Sequence, residues 1–236
     1  MMFQNKFHLN NTFIIRRENR IVSMAYTMYF DVKIGDILGK CVYIYGVGTD
    51  MDFRGSGLMS QIMNDIYAHY SKTDILFLYL VPANAGLFNM YEKLGYKTAF
   101  YLDKKEIEIT GSCNLNVSSD DFHSDYIKYI KRFSNVIIRS ELDNRLILNE
   151  CKYLKVNGSG FLFYTDAEKA YIRESYIYNV RDFNDFLLYL GSLGLKKAVM
   201  TTYENAEMPY AMIKILSKKI SLSDFNKPSY TNLNFD

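Results

Sequence analysis

The sequence predicts an α/β protein. Short extended runs alternate with amphipathic helical stretches, turn-forming residues separate them, and one order of elements occurs twice: hairpin, strand, helix, strand. TFIIRRENRIVSMAYTMYF opens the first round as a hairpin, two apolar strands about a polar Arg-Glu-Asn-Arg turn. KIGDILGK is turn-like, and a strand follows from Cys41 to Thr49. Leu58, Ile62 and Ile66, with Met59 and Met63, fall at helical spacing and give one apolar face. Ile75 to Val81 is a compact strand that ends at Pro82. LFNMYEKL is helical and stops at Gly95, where a left-handed residue is expected. YKTAFYLDKKEIEI continues as strand.

Residues 111–120, GSCNLNVSSD, are polar and mark the expected boundary between a first domain, 1–110, and a second, 111–236. DFHSDYIKYIKRF is helical beyond it. GFLFYTDAEKAYIRESYIYNV repeats the hairpin, RDFNDFLLYLGSLG the amphipathic helix and KKAVMTTY the strand. The order reads as a structural duplication.

Composition excludes several classes. A net charge of +2 with scattered basic residues predicts no nucleic-acid surface. No apolar run reaches the ~18 residues of a membrane span, so no membrane partner is expected. MMFQNKFHLNN has no apolar core of a signal peptide, and three widely spaced cysteines (Cys41, Cys113, Cys151) suit a reducing cytoplasm. Neither these nor His8, His69 and His123 cluster at ligand spacing, so no metal is expected.

Chemistry is concentrated where the third strand meets the first helix, in TDMDFRGSGLM. Glycine lets backbone amides converge without a Cβ, and a helix N-terminus presents unpaired N–H groups and a partial positive charge. Such a junction is either a tight turn or a phosphate site. It is neither a P-loop nor a G-x-G-x-x-G fingerprint. The corresponding junction of the second round, YNVRDFNDF, has no glycine, as a turn that served geometry alone would need in both rounds.

Residues 42–96 resemble the GNAT superfamily of acyl-CoA-dependent N-acyltransferases. Arg54-Gly55-Ser56-Gly57-Leu58-Met59 matches positions one and four of the pyrophosphate loop Arg/Gln-x-x-Gly-x-Gly/Ala. Asn84-Ala85-Gly86-Leu87-Phe88-Asn89-Met90-Tyr91-Glu92-Lys93-Leu94-Gly95-Tyr96 matches the second signature, Asn followed by a helix ending in Tyr-Glu-x-x-Gly-Phe/Tyr. The tandem order further resembles bacterial two-domain proteins of the enhanced-intracellular-survival type, an active GNAT module followed by a degenerate one. The resemblance implies a GNAT fold, a mixed and mostly antiparallel sheet flanked by helices, then a GNAT-like second module. Met59 departs from the pattern at position six and implies a tighter fit to the phosphates. About a dozen residues precede the first hairpin where the family has a strand and two helices, so the acceptor site is either open or walled by the second module.

By resemblance, the backbone of Val47, Gly48 and Thr49 pairs with the pantetheine arm of acetyl-CoA. The amides of Arg54, Gly55, Ser56, Gly57, Leu58 and Met59 hold its pyrophosphate. Asn84 contacts the arm or orders the second helix, and Tyr91 is the general acid for the departing thiolate. The alternative for Tyr91 is a core ring on an apolar helix face. A general base must take the amine proton. Glu174, in the alternating strand AYIRESYI, and the C-terminal Asp236 are the candidates, Glu174 otherwise being a solvated carboxylate beside Arg173. The expected activity is direct transfer of an acetyl group to a small-molecule primary amine, since no cysteine stands near either motif. A non-catalytic CoA-binding module and a protein N-acetyltransferase are the alternatives. The oligomeric state is left open, a homo-oligomer included.

Overall fold

The computed structural model describes residues 9–119, 121–176, 179–226 and 229–232. The order is β1 (Thr12–Arg17), β2 (Arg20–Ile34), β3 (Ile37–Thr49), α1 (Leu58–Tyr70), β4 (Phe77–Leu80), α2 (Ala85–Lys93), β5 (Lys97–Tyr101) and β6 (Asp103–Glu108). It continues through α3 (Phe122–Ile130), β7 (Asn135–Ile138), α4 (Glu141–Ile147), β8 (Lys152–Val156), β9 (Ser159–Thr165) and β10 (Lys169–Tyr176). α5 (Val180–Ser192), β11 (Lys197–Thr202), β12 (Pro209–Ile215) and β13 (Ser229–Tyr230) complete it.

Two compact units emerge, and they interleave in sequence. The first takes residues 1–101, 134–138 and 209–232; the second takes 102–133, 139–208 and 233–236. This differs from the expected single boundary at 110/111. The run YKTAFYLDKKEIEI is not one strand: β5 belongs to the first sheet and β6 to the second, the change falling at Leu102. No glycine or proline marks that point, so the sequence pattern runs straight through it.

The first unit is built on an eight-stranded mixed sheet in the order β13-β7-β2-β3-β4-β12-β5, with β1 paired to β2. The β1–β2 turn is Glu18 and Asn19, both with positive φ, the form whose twist matches a hairpin. β2 and β3 pair from Ser23↔Thr49 to Ile34↔Ile37. α1 then crosses to β4, which is parallel to β3. Its buried face, Leu58, Ile62, Met63, Ile66 and Tyr70, joins a core with Val42, Ile44, Leu78, Leu80 and Met212. Each fully buried aliphatic side chain of this kind contributes ~1.5–3 kcal/mol.

The second unit carries a five-stranded sheet, β6-β11-β10-β9-β8. β9 and β10 form the expected hairpin, and α5 links β10 to the parallel β11. Phe186 and Leu190 of α5 pack on Phe161, Phe163, Ala170, Ile172 and Ala198, with Phe161 and Phe186 stacked at 4.1 Å. Strand, helix and parallel strand thus occur in each unit, β3-α1-β4 and β10-α5-β11. Among the described residues no helix is long and apolar enough to cross a membrane.

Candidate functional site

The site is assembled at the end of β3. Strands β3 and β4 pair only at Cys41↔Phe77, Val42↔Leu78 and Tyr43↔Tyr79. Beyond Tyr43, β3 runs on to Thr49 held by β2 alone, so the edge of Ile44–Thr49 that would face β4 is left without a strand. A bulge opens the same stretch: Met24 pairs Gly48 and Tyr26 pairs Tyr45, leaving Gly46 and Val47 opposite one residue. Gly46 is left-handed there, with a φ of 61°, a conformation that glycine takes without strain at a bulge. Ser23 fixes the far end, its hydroxyl donating to Gly48 O at 3.0 Å and lying 3.1 Å from Thr49 Oγ1. Val47, Gly48 and Thr49 therefore sit on a strand end with one backbone edge unsatisfied by the sheet.

The loop that follows is tied down by side chains that the sequence did not single out. Asp50 accepts from Asp52 N and starts a short 3₁₀ turn, Met51–Phe53. Arg20, the first residue of β2, donates to Asp50 at 2.6 Å and reaches Asp52 at 3.4 Å. This pairing offsets two negative charges beside a loop that would otherwise repel an anion. The contact spans 30 residues of sequence and has no local signal. Arg54 is exposed, and its Nε donates to Thr49 O at 3.2 Å; Ser56 Oγ donates to Phe53 O at 2.5 Å.

Gly55 and Gly57 both lie in the left-handed region, with φ of 77° and 82°. Gly57 is the N-cap of α1, which has no side-chain cap and no acidic residue in its first turn. A Cβ at Gly55 or Gly57 would meet no protein atom within 4 Å. The amides of the first turn are thus presented to open space, with a net partial positive charge behind them. Leu58 is buried, and Met59 is partly buried against the core of the first unit. These features fit a pyrophosphate: left-handed glycines with open space beside them, leading into a helix N-terminus without a side-chain cap.

The corresponding end of α5 is closed. Asn179 caps it by accepting from Asp182 N at 3.0 Å, and Asp182, 3% exposed, accepts from Ser159 Oγ at 2.6 Å.

Asn84 is the N-cap of α2 by its backbone, Leu87 N donating to Asn84 O at 3.1 Å, but its exposed side chain makes no cap bond. Tyr91 is 7% exposed within the core of the first unit. Burial alone raises its pKa, and no hydrogen bond among the described residues acts on it.

Glu174 corrects its expectation. It is 1% exposed inside the second unit and meets Arg139 through two bonds, of 2.6 and 2.8 Å. Tyr176 also donates to it, and the guanidinium lies 4.1 Å from the Tyr126 ring centroid. A carboxylate clamped by a buried arginine cannot take a substrate proton, and it is not the solvated group expected beside Arg173 either. Asp236 lies outside the described residues. Among the described residues no group of His, Cys, Asp and Glu is placed to hold a metal.

Residues 2–99 match the acetyltransferase (GNAT) domain family. No curated protein matches the sequence. Three solved structures share the fold. A GCN5-related N-acetyltransferase from Anabaena variabilis is 16% identical with a TM-score of 0.72, over 92% of this chain and 65% of that one. A probable N-acyltransferase from Enterococcus faecalis is 16% identical with a TM-score of 0.70, over 87% and 62%. A GCN5-related N-acetyltransferase from Kribbella flavida is 14% identical with a TM-score of 0.69, over 87% and 60%. The chain thus spans about three-fifths of the length of these proteins.

Proposed function

We propose that the chain is an acyl-CoA-dependent N-acetyltransferase that moves the acetyl group of acetyl-CoA directly to a primary amine of a small molecule. The observation that carries this reading is the junction of β3 and α1: a strand parted from its parallel neighbour runs into two left-handed glycines and an uncapped helix. The open edge of Val47–Thr49 offers backbone groups to the amides of the pantetheine arm. The amides of residues 54–59 take the pyrophosphate, and the exposed Arg54 guanidinium adds charge beside them. Asn84, whose side chain is not spent on capping, is available to the arm.

The amine nitrogen attacks the thioester carbonyl, the C–N bond forms and the C–S bond breaks. Tyr91 gives its proton to the departing sulfur, and the amine proton leaves to a base or a water chain. Proton donation of this sort contributes ~10²–10⁴-fold. The second unit is a degenerate GNAT-like module in this reading, supported by the recurrence of strand, helix and parallel strand and by the closed end of α5. The free thiols of Cys41, Cys113 and Cys151 accord with a cytoplasmic location.

Thiol release from acetyl-CoA tests the proposal across a panel of small primary amines and of peptides. Release with small amines is the expected result. Release with peptides alone would transfer the reading to a protein acceptor, and binding with no release from any acceptor would leave a CoA-binding module.

A further inference from the structure

Strands part in the second sheet as they do in the first. β10 and β11 run parallel but pair only from Lys169↔Lys197 to Ile172↔Met200. Beyond these pairs β10 continues along β9, with Ser175 opposite Phe161, and β11 along β6, with Thr201 opposite Lys104 and Thr202 opposite Asp103. Ser175, Thr201 and Thr202 thus have a strand on their outer side and none across the gap. The gap begins at a bulge: Ile172 pairs Phe163 and Glu174 pairs Leu162, which leaves Arg173 as the extra residue. A side chain spans its start, the Tyr203 hydroxyl donating to Arg173 O at 3.5 Å. In the first sheet β3 likewise leaves β4 close to a bulge, at Gly46 and Val47.

The gap is a cleft and lies wholly in the second unit. It holds about 390 Å³ between Ser175 of β10, Met200, Thr201 and Thr202 of β11, and Tyr129 and Arg132 at the end of α3. Small-molecule sites have ~300–1,000 Å³. Its two charged side chains, Arg132 and Glu204, are paired at 2.7 Å, so the cleft offers a ligand no net charge. What remains is hydroxyls, a thioether and two strand edges, whose N–H and C=O groups are obligatory hydrogen-bonding groups. A molecule that answers both kinds carries amides, as a strand added to a sheet edge does. The helix after β10 differs from α1 in having a side-chain cap, Asn179, so one of its first amides is already taken.

We propose that the β10–β11 cleft is a second binding site, for a neutral, extended molecule that carries secondary amides and no phosphate. The amides bond the backbone edges at Ser175, Thr201 and Thr202, and the hydroxyls of the same residues serve groups that project from the chain. Met200 and the ring of Tyr129 give its carbon stem an apolar surface. A peptide main chain and a pantetheine-type arm both have this chemistry, and the experiment tells them apart. The site stands apart from transfer at the first unit, so either can fail without the other.

Methionine labelled at the ¹³Cε methyl reports on both units of the 236-residue chain in one NMR titration. The Met200 signal is assigned by its loss in Met200→Leu, and that of Met59, beside the glycine junction, by its loss in Met59→Leu. Pantetheine and N-acetyl-trialanine N-methylamide are the probes, added in separate titrations. At least one should shift Met200 saturably, and the one that does names the source of the amide chain. A shift confined to Met59, or none with either probe, overturns the proposal. Thr202→Phe fills the cleft and should abolish the Met200 shift; Ser175→Val, a smaller change, should weaken it. Unchanged binding in both variants overturns the proposal as well. If the wild type fails to bind acetyl-CoA, the transferase reading falls while the Met200 shift still decides the cleft.

Discussion

Tyr91 stands on a helix whose apolar face would bury any aromatic ring, so its identity alone does not separate an acid from a core residue. In the reading proposed above it is the acid, and among the described residues no hydrogen bond acts on its hydroxyl. Tyr91→Phe should therefore lower turnover ~10-fold or more while acetyl-CoA affinity barely changes, the pattern of an interaction made chiefly in the transition state. Steady-state rates beside a binding isotherm measure both; full turnover with a loss of ~0.5–1.5 kcal/mol in stability would mark it as core. Glu174 gives the opposite case. Glu174→Gln leaves the Arg139 charge buried without its partner, so chemical denaturation should show a loss of ~3–5 kcal/mol. A variant of wild-type stability with a slower rate would restore Glu174 as a base. Alternation in AYIRESYI does point the residue inward, but its partner is 35 positions away and no local pattern announces it.

At the scale of elements, the glycine junction was the most legible part of the chain. Only glycine, and to a lesser degree Asn, holds the left-handed conformation of position 57 without strain. Gly57→Asn should keep the ligand-free melting temperature close to that of the wild type, because a Cβ there meets no protein atom within 4 Å. It should still lose most acetyl-CoA affinity, since the added atoms enter the cradle. Calorimetric titration of the variant checks this, and unchanged affinity would return the glycines to a purely geometric role. The hairpins and α1, α2 and α5 could likewise be read from period and turn residues. The missed parts depend on long-range pairing: β7 and β12 are short apolar runs whose place is set by strands 100 or more residues away. The grip of Arg20 on Asp50 and Asp52 is of the same kind.

For the whole molecule, the interleaving of the units has a direct consequence. β12, from residues 209–215, lies between β4 and β5 in the first sheet and pairs with both. A chain ending at residue 110 would lack this inner strand, with β7 and β13, and leave β2, β4 and β5 with unpaired edges. It should show no cooperative thermal transition, whereas the full chain should; a cooperative melt of the 1–110 fragment would vindicate the single boundary that the polar stretch at 111–120 suggests. In the second unit the N-terminus of α5 is capped by Asn179, and in the proposed reading no phosphate binds there. The claim on which the account turns is that the full chain binds acetyl-CoA at the β3–α1 junction. Isothermal titration of the 236-residue chain with acetyl-CoA measures it most directly. The expected result is one saturable site per chain and, at about 100 times the dissociation constant, ~2.7 kcal/mol of added stability in a parallel melt. No heat and no shift in melting temperature at saturating acetyl-CoA would contradict it.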